Sequence, residues 1–279
     1  MEIARRPSFA TAVTRYTATM IRFRIAGPRH FTKLLAHDTR YRIVVLICSL
    51  GLRNRAQGGI GVTAAELLAA LSRTLPGGRS VLRTTLQLML KMELIEQRLD
   101  PRDRRVRIYV ATDALMAMNR TWFGVAFDCV DIVWPEARLP ERFAADDALL
   151  HRVNLNIGAA LLEGETLTGR MPELRCFFRR EFGWPLLYQL VLSALTGAPA
   201  PSLNTVAETF AAPRAQIAAI RAEARQQGFV ADVGGQRLAA TPLLLRRNEA
   251  WLAFFFAFLL DLATRPSALE SGSVEPAAP

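Results

Sequence analysis

Cysteine is nearly missing from this chain of 279 residues: Cys48, Cys129 and Cys176 stand scattered and unpaired in spacing. That excludes a disulfide framework and points to a reducing compartment, for which the cytoplasm is the expected location. Histidine is as sparse. His30 and His37 are placed to share one helix face, but no carboxylate or cysteine ligand set accompanies them, and His151 is isolated. A glycine-rich phosphate loop, a metal-ligand spacing and a nucleophile motif are all lacking. Asp146, Asp147 and His151 read as surface residues rather than catalytic ones. No catalytic residue, metal or cofactor is therefore assigned, and no enzymatic activity is expected. Long apolar runs are lacking too. The longest, residues 251–260, is too short to span a bilayer and reads as a buried helix. No membrane partner is expected.

Acidic residues are scarce in one part only. Residues 1–110 hold 20 Lys/Arg against 7 Asp/Glu, whereas residues 111–279 hold 15 against 18. The whole net charge of +10 thus arises in the N-terminal part. A local cationic field of that kind attracts polyanions, of which DNA is the usual one. Arginine supplies nearly all of it, since Lys33 and Lys91 are the only lysines. Six arginines occur by Arg29, without the apolar core of a signal peptide. An Arg-rich, acid-poor start is compatible with a transit peptide. Tyr16, Met20 and Phe23 fall at helical spacing, which favours an interfacial helix or a basic arm.

What is present is one pattern written twice, over residues 61–115 and again, shorter, over residues 201–244. Leu46, Ile47 and Leu50 align with Val191, Leu192 and Leu195 at an offset of 145. Thr63, Leu67 and Leu71 align with Ser202, Val206 and Phe210 at 139. Arg79, Leu82, Leu86, Leu94 and Ile95 align with Arg214, Ile217, Arg221, Phe229 and Val230 at 135. Thr112, Leu115, Asn119 and Trp122 align with Thr241, Leu244, Asn248 and Trp251 at 129. Every change of offset lies between elements, where length changes cost little. The alternative to duplication is a hydrophobic grid common to two similar folds. The Asn and Trp matches lie beyond such a grid.

In the first copy, residues 42–50 are an apolar helix, and Thr63 to Glu66 is a capping box opening a helix that buries Leu67, Leu68 and Leu71. The turn 75–78 follows. A second helix runs from Arg79 or Ser80 to about Met92, with Leu82, Leu86, Met89 and Leu90 on its apolar stripe. Ser80, Arg83, Thr84, Gln87 and Lys91 form the outward stripe, with side chains suited to major-groove base edges and flanking phosphates. Ser80 and the free amides near Arg79 suit a phosphate. An ordinary solvated face would look the same. Residues 94–99 and 106–110 then alternate as strands around a turn too charged to be packed, and five arginines lie between Arg98 and Arg107. Arg102, Arg104 and Arg105 tip this hairpin, with Asp103 placed to hold a neighbouring guanidinium.

This stretch resembles the MarR family of bacterial transcription regulators. The matching residues are Val62-Thr63, Leu67, the helix from Arg79, Met92 to Ile95, Asp100, Arg102, Asp103 and Arg105, and Ala111-Thr112, within roughly residues 42–122. The resemblance implies a winged-helix fold, a recognition helix in the major groove, an Arg wing in the minor groove, and dimers built from N- and C-terminal helices. Its DNA-reading positions would be Ser80, Arg83, Thr84 and Gln87, with Arg104 or Arg105 at the wing. The chain departs from the family by continuing into the second copy and by a longer turn at residues 75–78.

The second copy carries Arg214, Arg221 and Arg225 on its second helix, candidates for a weaker second DNA contact. Its wing shrinks to residues 231–237 with one Arg and one Asp, and residues 185–244 balance to +1. A structural role for this copy is the favoured reading, because affinity scales with phosphates neutralised. Aromatic helices follow both copies, at residues 119–133 and 248–262. The second, with Phe254 to Phe258 apolar on every side, reads as buried all round.

The expected fold is mainly α with small β wings (α+β): tandem winged helix-turn-helix domains joined by a helical bundle, a pseudo-dimer in one chain. Its parts are an N-terminal helical or basic arm (1–39), the first winged helix-turn-helix (40–115) and connecting helices (116–182). A second winged helix-turn-helix with a degenerate wing (183–245), an aromatic helix (246–265) and a disordered tail (266–279) complete it. The expected partner is double-stranded DNA, bound by a transcriptional regulator that is a monomeric pseudo-dimer or a homodimer. A small hydrophobic effector in the bundle is a candidate partner, and plain core packing is its alternative. A tandem winged-helix replication initiator and a protein-interaction scaffold without DNA binding are the competing functions.

Overall fold

The computed structural model describes residues 3–26, 34, 38–72, 78–166, 168–234 and 237–269. It is mainly helical, with two small antiparallel sheets. His30, His37 and most of the turn 75–78 lie outside the described residues.

Helix α1 (Pro7–Ala26) comes first, then α2 (Asp38–Ala56). Strand β1 (Val62–Thr63), α3 (Ala64–Ser72), α4 (Arg79–Lys91), β2 (Ile95–Leu99) and β3 (Arg107–Ala111) follow. The sheet order is β1-β3-β2, with Val62 opposite Tyr109 and Ile95 opposite Ala111. Helices α5 (Asp113–Val133), α6 (Leu139–Ala145), α7 (Ala148–Leu162) and the short α8 (Arg175–Phe178) lead onward. Next come α9 (Gly183–Thr196), α10 (Leu203–Thr209), α11 (Arg214–Gln226), β4 (Val230–Val233), β5 (Arg237–Ala240) and α12 (Pro242–Thr264). An isolated bridge between Ser202 and Arg237 stands where the first segment has β1.

The chain divides into two compact units. One comprises Met1–Asp38, Asp128–Glu136 and Leu167–Ala257; the other comprises Thr39–Phe127, Ala137–Thr166 and Phe258–Pro279. Helices α5 and α12 therefore each contribute residues to both units.

The helix–hairpin–helix segments at 79–116 and 214–245 close with the same hydrogen bonds at the offsets read from the sequence. After α4, the Leu94 amide donates to the Met89 carbonyl at 3.0 Å; after α11, Phe229 donates to Ala224 at 2.9 Å. Glu93 and Gly228 both take positive φ, 55° and 73°, as the left-handed residue that ends the helix. The Thr112 hydroxyl donates to the Glu93 carbonyl at 2.8 Å, and Thr241 donates to Gly228 at 2.7 Å. Thr112 and Thr241 also accept from the amides of Leu115 and Leu244, capping α5 and α12. These contacts need a left-handed residue ending one helix and a threonine opening the next, whatever the length of the hairpin between them. A shared pattern of apolar residues alone would not place them.

In the first unit, α1 packs on α9 and on Phe255 and Phe256 of α12. Tyr16 meets Tyr188 edge-on at 6.0 Å and Phe256 at 5.5 Å, and Phe9 meets Phe256 at 6.2 Å. Phe178 stacks on Trp184 at 4.0 Å, and Trp184 lies 5.6 Å from Trp251. Residues 7–26 of the expected helical or basic arm are thus a packed helix, because Phe9, Val13, Tyr16 and Met20 form one buried stripe. Helix α12 is not buried all round: Phe254 and Phe258 keep part of their surface exposed.

In the second unit, Tyr41, Trp122, Phe123, Phe127 and Phe143 form a chain of ring contacts between 4.8 and 5.8 Å. Helix α7 comes so close to α2 that a Cβ on Gly158 would sit 1.8 Å from the Ser49 Oγ. Buried Asn156 donates to the Leu262 carbonyl at 2.9 Å and accepts from the Ala268 amide at 2.9 Å. Ser267 and Ala268, expected within a disordered tail, are therefore packed against the protein. Ser267 is buried and Ala268 is tied to Asn156, while residues 270–279 lie outside the described residues.

Candidate nucleic-acid interface

The site is built on the entry to α3. Thr63 and Glu66 form the capping box: the Glu66 amide donates to the Thr63 Oγ1 at 3.1 Å, and the Thr63 amide donates to the Glu66 Oε2 at 2.7 Å. Asn54, on the last turn of α2, donates to the other Glu66 oxygen at 3.0 Å and to the Gly61 carbonyl at 2.9 Å. This asparagine binds α2, the glycine loop and α3 into one unit. Gly61 admits no side chain, because a Cβ there would lie 2.5 Å from the Tyr109 carbonyl oxygen.

Helix α3 buries Leu67, Ala70 and Leu71, whereas Leu68 is half-buried. Helix α4 turns Leu82, Thr85, Leu86 and Met89 inward, and Leu90 stays partly exposed. Burying each of the large side chains contributes about 1.5–3 kcal/mol. The opposite face carries Arg79, Ser80, Arg83, Thr84, Gln87 and Lys91, all exposed. The Thr84 hydroxyl donates back to the Ser80 carbonyl at 3.0 Å, which leaves its lone pairs outward. Arg83 and Gln87 lie one turn apart on this face, both able to reach a hydrogen-bonding edge.

The turn between β2 and β3 is ordered by its acidic residues, though not as the sequence suggested. Asp103 accepts from the Arg105 backbone amide at 2.9 Å, and Asp100 accepts from the Arg102 backbone amide at 2.8 Å. Both carboxylates form local Asx-type turns and hold the backbone, so Asp103 does not clamp a guanidinium. The Asp100 amide donates to the Val106 carbonyl at 2.9 Å and closes the hairpin. Of its arginines, Arg98 pairs with Glu96 at 2.6 Å. Arg102 folds back to the Gly58 carbonyl at 3.3 Å, in an open cleft of about 400 Å³ with Asn54, Gly59, Glu66 and Asp100 on its walls. Arg104 and Arg105 are exposed, and neither guanidinium has a partner among the described residues.

The second segment differs in chemistry. Asp232, on β4, receives the Arg221 Nε at 2.9 Å and the Arg225 Nη1 at 3.0 Å. Those hydrogen bonds hold its carboxyl below the usual aspartate value. Arg214 is exposed at the start of α11. Two of the three arginines expected as a second contact are therefore engaged by an internal anion.

Comparison with family models, with characterised proteins and with solved structures finds no match for this chain. Among the described residues no cluster of three His, Cys, Asp or Glu could hold a metal ion. Cys48, Cys129 and Cys176 are buried, and desolvation pushes each thiol up to about 12, so they remain protonated packing residues. Among the described residues no helix is long and apolar enough to cross a membrane. Asn54 and the Gly58 carbonyl had no signal in the sequence, because both act on residues brought near only by folding.

Proposed function

We propose that this chain is a sequence-specific regulator of transcription that binds double-stranded DNA. On this reading residues 40–115 and 183–245 are tandem winged helix-turn-helix copies, held as a pseudo-dimer in one chain. Helix α4 enters the major groove, with Ser80, Arg83, Thr84 and Gln87 towards base edges and Arg79 and Lys91 towards phosphates. Arg104 and Arg105 enter the adjacent minor groove, where narrow A·T stretches carry enhanced negative potential. Arg102, in the same turn, folds back onto the Gly58 carbonyl and fixes the approach of the hairpin to the glycine loop.

The observation that carries the reading is the exposed pair Arg104 and Arg105 on a turn whose two carboxylates are engaged by backbone amides. Such a tip keeps its positive charge facing solvent and its geometry ordered. Retention on duplex DNA at rising ionic strength tests it. Phosphate-dominated binding weakens linearly on a log–log plot, with slope of about −0.9 per phosphate neutralised. Protein that ignores duplexes at low ionic strength would sink the proposal.

A further inference from the structure

The matching hydrogen bonds at the ends of α4 and α11 fix their residue equivalence at an offset of 135, independently of side-chain similarity. Carried through, that register maps the exposed face of α4 onto one particular face of α11. Ser80, Arg83, Thr84 and Gln87 become Ala215, Ala218, Ala219 and Ala222, and Lys91 becomes Gln226. The face that offers hydrogen-bonding side chains in the first segment is stripped to methyl groups in the second. Ala215 and Ala222 are exposed, and Ala218 and Ala219 partly so. A methyl group can touch a thymine methyl but discriminates no donor or acceptor pattern.

The arginines of α11 do not replace what is lost. Arg221 and Arg225 stand at the positions of Leu86 and Leu90, off the equivalent face, and both are held by Asp232. The second hairpin adds the anion itself where the first adds free cations. Glu223, on the same helix, takes the Arg180 guanidinium at 3.2 Å. Arg221, Arg225 and Glu223 are thus engaged by protein groups, while Arg214 and Arg237 stay exposed away from the four positions that match the base-reading face.

We infer that this chain reads a single asymmetric DNA element, with every base contact made by the first segment, and not the inverted repeat that two equal reading heads select. The inference rests on the DNA-binding reading above. A two-headed reader of one sequence imposes two-fold symmetry on its operator. Here the two faces differ at four of four base-reading positions, so nothing in the second segment selects a second half-site.

The test is selection of bound duplexes from a random pool by the full chain. One asymmetric motif is expected, relaxed at one base position in Arg83→Ala and retained in full in the double variant Ala215→Glu/Ala222→Glu. The added carboxylates sit at exposed helical positions that tolerate glutamate, and DNA affinity within twofold of the parent is expected. An inverted or direct repeat at fixed spacing overturns the inference while leaving DNA reading intact. A tenfold or greater loss of affinity in the glutamate variant overturns it as well, since it would place the second segment against phosphates. Absence of any enriched sequence together with absence of low-salt retention overturns the DNA-binding reading itself, and the inference with it.

Discussion

The Arg221 guanidinium donates through Nε to the Asp232 carboxylate at 2.9 Å, tying α11 to β4 inside the second segment. Arg225 reaches the other oxygen of the same carboxylate at 3.0 Å. The pairing sets one aspartate between two cations, and the exposed arginine of this hairpin is the single Arg237 where the first hairpin carries Arg104 and Arg105.

Acid should dissolve that pairing. The Asp232 carboxyl lies below its ordinary value because Arg221 and Arg225 donate to it. A carboxylate depressed in the folded state stabilises above its unfolded pKa, about 3.9, and loses that contribution as pH falls through the folded value. Asp232→Asn should therefore melt below the parent at neutral pH, with the gap closing on acidification and at high salt. A gap that stays constant down to strongly acidic pH would contradict the assignment.

The capping network at α3 can be taken apart by parts. Thr63→Ala should cost about 1 kcal/mol in denaturant unfolding. Glu66→Ala should cost more, since Asn54 then loses an acceptor as well. The double variant should fall short of the sum, because Thr63 and Glu66 satisfy each other. Additive losses would mean that the two residues act separately.

Close approach of α7 to α2 makes Gly158 a strict position. Gly158→Ala should destabilise by about 1–3 kcal/mol through overpacking, because the new Cβ meets the Ser49 Oγ at 1.8 Å and its Cβ at 2.2 Å. Ser49→Gly should recover most of the loss in the alanine background. Failure of that rescue in paired thermal melts would place the strain elsewhere.

Arg83 and Arg105 should fail differently. Arg83→Ala should relax discrimination at one base position at a cost of about 1–3 kcal/mol on the preferred site. Arg105→Ala should weaken binding to all duplexes alike and reduce the salt slope by about 1. Competition binding at several salt concentrations separates the two. Identical, parent-like behaviour of both variants would remove them from the interface.

The stripe of α4 was legible because its period is local: Leu82, Leu86 and Met89 recur with the helical turn, and their neighbours Arg83, Thr84 and Gln87 necessarily face the other way. The capping box and the hairpin were legible for the same reason, since their partners lie within a few residues. Errors arose at the margins of those patterns. Thr85 is buried and Leu90 is half-exposed because the buried arc is set by what packs against the helix. Asp103 was expected to hold a guanidinium, yet a backbone amide two residues on is nearer and costs no side-chain ordering.

By itself the sequence determined the helical periods, the turns, the repeat offsets and the gathering of positive charge in residues 1–110. Each depends on neighbours along the chain or on composition. Only the tertiary structure decided that α1 is packed rather than free, and that Asn54 braces the entry to α3. It also decided that Ser267 is buried and Ala268 fastened to Asn156 of α7, and that Asp232 holds Arg221 and Arg225. Those outcomes depend on which distant groups win a contact when the chain closes, a competition among many partners of similar chemistry that spacing along the chain cannot rank.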